Sequence, residues 1–197
     1  MASATSVPRF TAEQYLALER NADSRSEFCN GFIIAMAGGS REHNVISGNL
    51  HGEIRSHLKG RPCEVYISDM RVRVDSTGLF TYPDVVAVCG EPRFVDDRAD
   101  TLLNPTLIVE VLSTSTESYG RGDKFMHYRR LESLREHVLV SQDKVLVERF
   151  TRQGDQWLLT EFRNRDETLQ LASIDCKVAL REIYARIEFP GQDATGN

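Results

Sequence analysis

The sequence predicts an α/β protein, one domain built around a mixed β-sheet with helices on both sides. Three observations predict it. Val85–Val88 and Leu107–Leu112 are apolar runs of strand length, rich in Val and Ile, as in central strands buried on both faces. Ile46, Leu50, Ile54 and Leu58 recur every four residues and give the segment from Arg41 to Leu58 one apolar stripe, as a helix requires. Near the C-terminus, strand-like segments follow one another with turn residues between them.

The elements follow in order. Thr11-Ala12-Glu13-Gln14 has the form of a capping box and opens a short helix to about Arg20. Asn30-Gly31 lies between Glu27-Phe28-Cys29 and Phe32-Ile33-Ile34-Ala35-Met36. Both residues tolerate the positive φ of a two-residue hairpin turn. Gly38-Gly39-Ser40 breaks the strand and leads into the helix from Arg41. Glu64–Ser68 and Arg71–Val74 are short strands. Gly90–Asn104 is a long polar connection between the two apolar runs, and Gly120–Leu131 is a helix. His137–Ser141, Val145–Phe150 and Gln156–Phe162 are hairpin-linked strands, and Val178–Ile187 closes the chain as a helix. Residues 1–189 form the domain, and the polar residues 190–197 form a frayed tail.

Composition narrows the function. With 41% apolar and 27% charged residues, the chain is globular rather than disordered. Its net charge of −5 excludes a protein that holds nucleic acid by bulk positive charge; any such contact is local, with a metal ion offsetting repulsion. No apolar run reaches membrane-spanning length, and the first residues lack a secretory signal, so a cytoplasmic protein without a membrane partner is expected. Cys29, Cys63, Cys89 and Cys176 are scattered, without zinc spacing, and are expected as free thiols. No P-loop, dinucleotide fingerprint, Ser-His-Asp arrangement or H-E-x-x-H pattern appears.

Two acids stand where acids are expensive. Asp84 directly precedes Val85–Val88, and Glu110 interrupts Leu107–Leu112. A buried carboxylate costs several kcal/mol or more unless it is paired, hydrogen-bonded or bound to metal. One reading is structural, an ion pair with Arg71 or Arg73. The other is catalytic. After Glu110 come a polar loop and a helix bearing Lys124, whose side chain leans toward the helix N-terminus and back at the carboxylates. Tyr128 lies one turn on, on the same helical face. Gln142 ends the following strand. Arg121 and Arg129, on or near the lysine-bearing helix, are the favoured nucleic-acid contacts.

Tyr82-Pro83-Asp84-Val85, then Leu107-Ile108-Val109-Glu110-Val111-Leu112-Ser113, then Asp123-Lys124 and Tyr128, resemble the PD-(D/E)XK nuclease superfamily. More narrowly, the chain resembles the Uma family of restriction-endonuclease-like proteins from about Phe10 to Phe189. Glu27 with Asn30-Gly31, and His43 at the next helix, match that family's N-terminal pattern. The chain departs from the superfamily at Leu112, where the usual lysine stands two residues after the acid. In the Uma family the lysine looks to have moved to the following helix, which makes Lys124 its replacement.

The resemblance implies a restriction-endonuclease-like core with added antiparallel strands near the C-terminus. It implies a metal-dependent endonuclease that hydrolyses phosphodiester bonds in DNA. Asp84, Glu110 and Lys124 are then the catalytic residues, with Glu27, His43, Tyr128 and Gln142 in support. Asp84, Glu110 and the Val111 carbonyl would hold Mg²⁺, or Mn²⁺ in its place. A homodimer is expected if both strands are cut. Two rival functions remain on the sequence: a catalytically silent binding module of the same fold, and a hydrolase of small phosphoesters.

Overall fold

The computed structural model describes residues 9–114 and 117–189. The expected tail 190–197, and Ser115 and Thr116 of the loop after Glu110, lie outside the described residues. The described residues form two large sheets and a small two-stranded one, packed with one long helix and several short ones.

The six-stranded sheet carries the apolar runs. Its order is β11 (Gln156–Phe162), β10 (Val147–Gln153), β9 (Glu136–Ser141), β8 (Leu107–Leu112), β6 (Val85–Cys89) and β3 (Cys63–Ile67). Only β8 and β9 pair in parallel; the other neighbours are antiparallel, so the sheet is mixed. All six residues of β8 are buried, as expected of an interior strand. The side chains of β8 alternate between two cores. Leu107, Val109 and Val111 join Ile46, Leu50, Ile54 and Leu58 of α2 (Arg41–Leu58), whose predicted stripe is fully buried. Ile108 faces the opposite way, into a core shared with Val72, Leu79 and Tyr128. Glu110 has the parity of Ile108 and so lies on that second face.

A second, five-stranded sheet runs β2 (Phe32–Ala35), β1 (Ser26–Cys29), β5 (Leu79–Thr81), β4 (Arg71–Val74) and β7 (Thr101–Leu102). The β1–β2 hairpin turns at Asn30 (φ 52°) and Gly31 (φ 88°), as the Asn-Gly pair predicted. Its inner end rests on α1 (Ala12–Glu19) through the ring cluster Tyr15, Phe28 and Phe80. The Thr11 capping box is present, with Thr11 and Gln14 each bonding the other's backbone N–H.

Four expectations are corrected. The polar connection 90–104 contains β7, which pairs in parallel with β4. The helix expected over Gly120–Leu131 is instead α3 (Glu117–Tyr119), a π-helical segment (Gly120–Lys124) and α4 (Phe125–Tyr128). The closing helix expected from Val178 begins later. Cys176–Ala179 is β13, paired with β12 (Thr168–Leu171), and only α5 (Leu180–Ile183) is helical. Leu180, Ile183, Tyr184 and Ile187 mimic a longer helical stripe, but Arg186 turns the chain left-handed at φ 65°. Finally, Cys63 and Cys89 are not free thiols but form a disulfide. They sit directly opposite each other on β3 and β6, so the strand register itself brings the sulfurs together. Cys29 and Cys176 are free.

Candidate active site

The π-helical segment lies over the C-terminal end of β8. Gly120 makes that approach feasible: a Cβ there would come within 2.5 Å of Leu112 Cδ2. The wide turn ends at Lys124, which is buried. Wide turns of this kind are frequent at functional sites because they re-aim a side chain.

Lys124 Nζ donates to both oxygens of Glu110, at 3.1 and 3.2 Å, and lies 3.0 Å from Glu27 Oε1. The Tyr128 hydroxyl donates to Glu110 Oε1 at 2.6 Å. Lys124 and Tyr128 thus clamp the same carboxylate from successive turns, as their spacing suggested. Glu27, on β1 of the other sheet, is held in turn by the Tyr119 hydroxyl at 2.9 Å and by the Thr81 hydroxyl on β5. The structural alternative for Glu110 does not occur: Arg71 bonds Tyr82 and approaches Asp100, and Arg73 pairs with Asp75.

Asp84 stands on the other side of Glu110. Its Oδ2 accepts from the Val111 backbone N–H at 2.7 Å, which ties it to the residue after Glu110. Its Oδ1 meets His43 Nε2 at 3.1 Å. Two features fix its backbone. The Asp84 carbonyl accepts from the Ser68 N–H at 3.0 Å. Two residues earlier, the Tyr82 hydroxyl donates to Glu19 and accepts from Arg71. The expectation that Lys124 points at both Asp84 and Glu110 is met only for Glu110; its second carboxylate is Glu27.

His43 lies in the first turn of α2, where the Ser40 N-cap hydroxyl accepts from the His43 N–H at 3.1 Å. The same hydroxyl reaches Gln142 Oε1 at 3.1 Å, so Gln142 is linked to the His43 turn. The Gln142 N–H bonds the Leu112 carbonyl, carrying the residue to the end of β8.

Charges in the site follow from burial and contact. Burial pushes the Glu110 carboxyl up to about 7; Lys124 and the Tyr128 hydrogen bond pull against it, and the facing Asp84 charge adds to it. Burial would also raise Glu27, but the Lys124 charge and the bonds from Thr81, Lys124 and Tyr119 outweigh it and leave it lowered. Burial works against the Lys124 ammonium, yet Glu110 and Glu27 hold its pKa above the ordinary value. The hydrogen bond to Asp84 raises His43.

The arrangement brings together three carboxylates, Glu27 and Glu110 on Lys124, and Asp84 facing Glu110 from the other side. That surplus of negative charge in a largely buried place suits a divalent cation. Among the described residues, no group of three or more His, Cys, Asp or Glu side chains is arranged to hold a metal. The pair Asp84 and Glu110 offers carboxylate oxygens of the kind a hard divalent cation would take, with water and substrate phosphate completing its shell.

Arg121 and Arg129 part company. Arg121 is spent within the protein on Glu117 and Glu148. Arg129 is exposed, and its side chain pairs with no described residue. Thr81 and Tyr119 belong to the site although they were not among its expected members. Thr81 directly precedes the Tyr82-Pro83-Asp84 motif, the one sequence signal that would have found it.

Fold and site together define a restriction-endonuclease-like α/β protein. A solved structure agrees: a "putative nuclease" from Anabaena variabilis ATCC 29413 superposes with a TM-score of 0.72 at 17% identity, over 89% of this chain and 97% of that one. The chain belongs to the Uma2 family, described as "Putative restriction endonuclease", whose model matches residues 12–181. Two uncharacterized proteins of Synechocystis sp. are each 37% identical to it. The match to sll1609 covers 82% of this chain and 92% of that protein; the match to slr1290 covers 92% and 95%. No helix among the described residues is long and apolar enough to cross a membrane.

Proposed function

We propose that this chain is a metal-dependent endonuclease that hydrolyses phosphodiester bonds in DNA. The observation that carries the proposal is the pair Asp84 and Glu110, joined through the Val111 amide, with Lys124 on Glu110. Folding does not require a carboxylate inside β8, and this one is kept in place by three donated hydrogen bonds. The family description and the structural neighbour's printed name support the nuclease part of this reading.

Asp84, Glu110 and the Val111 carbonyl would hold Mg²⁺ or Mn²⁺, which polarises the phosphoryl group and lowers the pKa of the attacking water. The chain's own groups do the rest. The Val111 N–H and His43 fix both oxygens of Asp84. Tyr128 fixes the rotamer of Glu110. Lys124 carries a permanent charge beside Glu110 that stabilises the charge developing on the phosphate. Glu27 holds Lys124 in position from the opposite sheet. Water adds to phosphorus and gives up a proton to solvent, one P–O ester bond breaks, and the leaving oxygen takes a proton from solvent. A homodimer would set two such sites on opposite strands.

The test is cleavage of plasmid and linear DNA by purified protein with Mg²⁺ or Mn²⁺. Asp84→Asn and Glu110→Gln should each lower the rate by about 10³-fold or more, the loss expected when several kcal/mol of metal charge stabilisation goes. Metal-dependent cleavage left unchanged by both substitutions overturns the assignment.

A further inference from the structure

A cluster of arginines, entering β9 at the end away from Glu110, has no place in the chemistry above. The loop after α4 carries Arg129, Arg130 and Arg135, all exposed, and their side chains make no ion pair or hydrogen bond with any described residue. Arg152, on β10, reaches under this loop. Its Nε donates to the Leu134 carbonyl, and its Nη2 donates to the carbonyls of Arg129 and Leu131, each at 2.8 Å. Its Nη1 has no hydrogen-bond partner among the described residues. No carboxylate pairs with this guanidinium, which lies 4.6 Å from the centre of the Trp157 ring. Trp157 is itself propped by the edge of Phe125 at 5.4 Å. Arg129, Arg130, Arg152, Asp155 and Trp157 line a groove of about 460 Å³.

The charge is out of keeping with the rest of the molecule. In a chain of net charge −5, four arginines gather here against Asp155 and Glu132. Burial lowers the pKa of Arg152 and the Arg135 charge adds to this, while Asp155 and Glu132 pull against it. Arg152 is also pre-organised: three carbonyl bonds and a ring fix its plane, leaving the two N–H groups of Nη1 to donate outward. Those two donors can make charge-assisted hydrogen bonds to a phosphate.

We infer that this groove is a second nucleic-acid contact, binding the phosphodiester backbone of the substrate away from the cleaved bond. The inference rests on the nuclease reading. It also has a geometric basis. β8 and β9 run parallel, with Glu110 opposite Leu139 toward one end and the arginine loop entering β9 at the other. Three residues of strand, roughly 10 Å, separate those levels along the sheet. That distance is short enough for one duplex to engage both.

Trp157 is the chain's one tryptophan, so its emission reports on this groove. The experiment titrates a labelled 30-base-pair duplex into the Glu110→Gln protein, following Trp157 emission and duplex anisotropy across a salt series. The comparison protein adds Arg129→Gln, Arg130→Gln and Arg135→Gln, whose side chains support nothing in the fold. Saturable Trp157 change is expected in the first protein. In the second, the slope of log K against log salt should be shallower by about 2–3, as lost phosphate contacts dictate. Equal slopes with silent Trp157, while anisotropy still reports binding, overturn the groove and leave the nuclease reading intact. A duplex bound by neither protein overturns both. An equal Trp157 response to poly-L-glutamate overturns the assignment to phosphate.

Discussion

The two faces of β8 are built to opposite rules. Leu107, Val109 and Val111 meet α2 through apolar contact alone. On the other face, Glu110 is as deeply buried but is held by Lys124 and Tyr128. The first face gains stability from every methyl group it buries. The second spends stability on desolvated charges and recovers it only while each partner is present. One strand thus serves as a structural wall on one side and a charged site on the other, and the period of two keeps the two apart.

Breaking the charged face should cost most. Lys124→Met leaves Glu110 and Glu27 buried without their cation, and about 3–5 kcal/mol of unfolding free energy should be lost in urea titration. A loss below about 1 kcal/mol would mean that the lysine contributes nothing to the fold and the contrast between faces collapses. On the apolar face, Leu107→Ala should cost about 3 kcal/mol by the same measurement. DNA cleavage per folded molecule should stay at the unsubstituted rate, since Leu107 does not touch the carboxylates. A cleavage defect as large as that of Glu110→Gln would show that the faces are not separable.

The smallest effect sharpens the comparison by pH. His137 lies on β9 opposite Ile108, stacked on Phe125 and beside the Tyr128 ring. Burial, aided by the Lys124 charge, pulls its pKa down to about 3. The unfolded chain binds this proton near pH 6.5 while the folded chain refuses it until about pH 3. Stability is therefore complete above pH 6.5 and falls as pH drops through that window. Between pH 7 and 5 this one group removes about 2 kcal/mol. His137→Phe should abolish that part of the acid sensitivity in urea midpoints measured across the range. An unchanged pH slope would place the sensitivity elsewhere.

Three elements, one of them in each sheet and one a helix, were readable in advance because their signals are local. The α2 stripe, the β8 run and the Asn30-Gly31 turn each lie within a few residues, and each appears where the pattern placed it. The second sheet was half hidden. β5 and β7 have three and two residues, too few for any period to show. The site divides in the same way. Glu110 betrays itself because an acid in an apolar run is anomalous without any knowledge of its surroundings. Lys124 follows from the geometry of a strand and a returning helix. That Lys124 would bridge to Glu27 depends on how two sheets meet, and no local pattern encodes such a meeting. The Cys63–Cys89 disulfide was missed for a related reason, since it follows from strand register rather than from spacing along the chain.

The order in which the site's parts are made has its own consequence. Glu27, His43, Asp84, Glu110 and Lys124 come from separate segments spread over half the chain. A ribosome adding 5–20 residues per second needs about 5–20 s to pass from the first to the last. Through that interval the carboxylates emerge without their lysine, and no product that ends before Lys124 carries the complete set. The charged face of β8 is therefore completed late, and all at once, when Lys124 reaches the carboxylates that precede it.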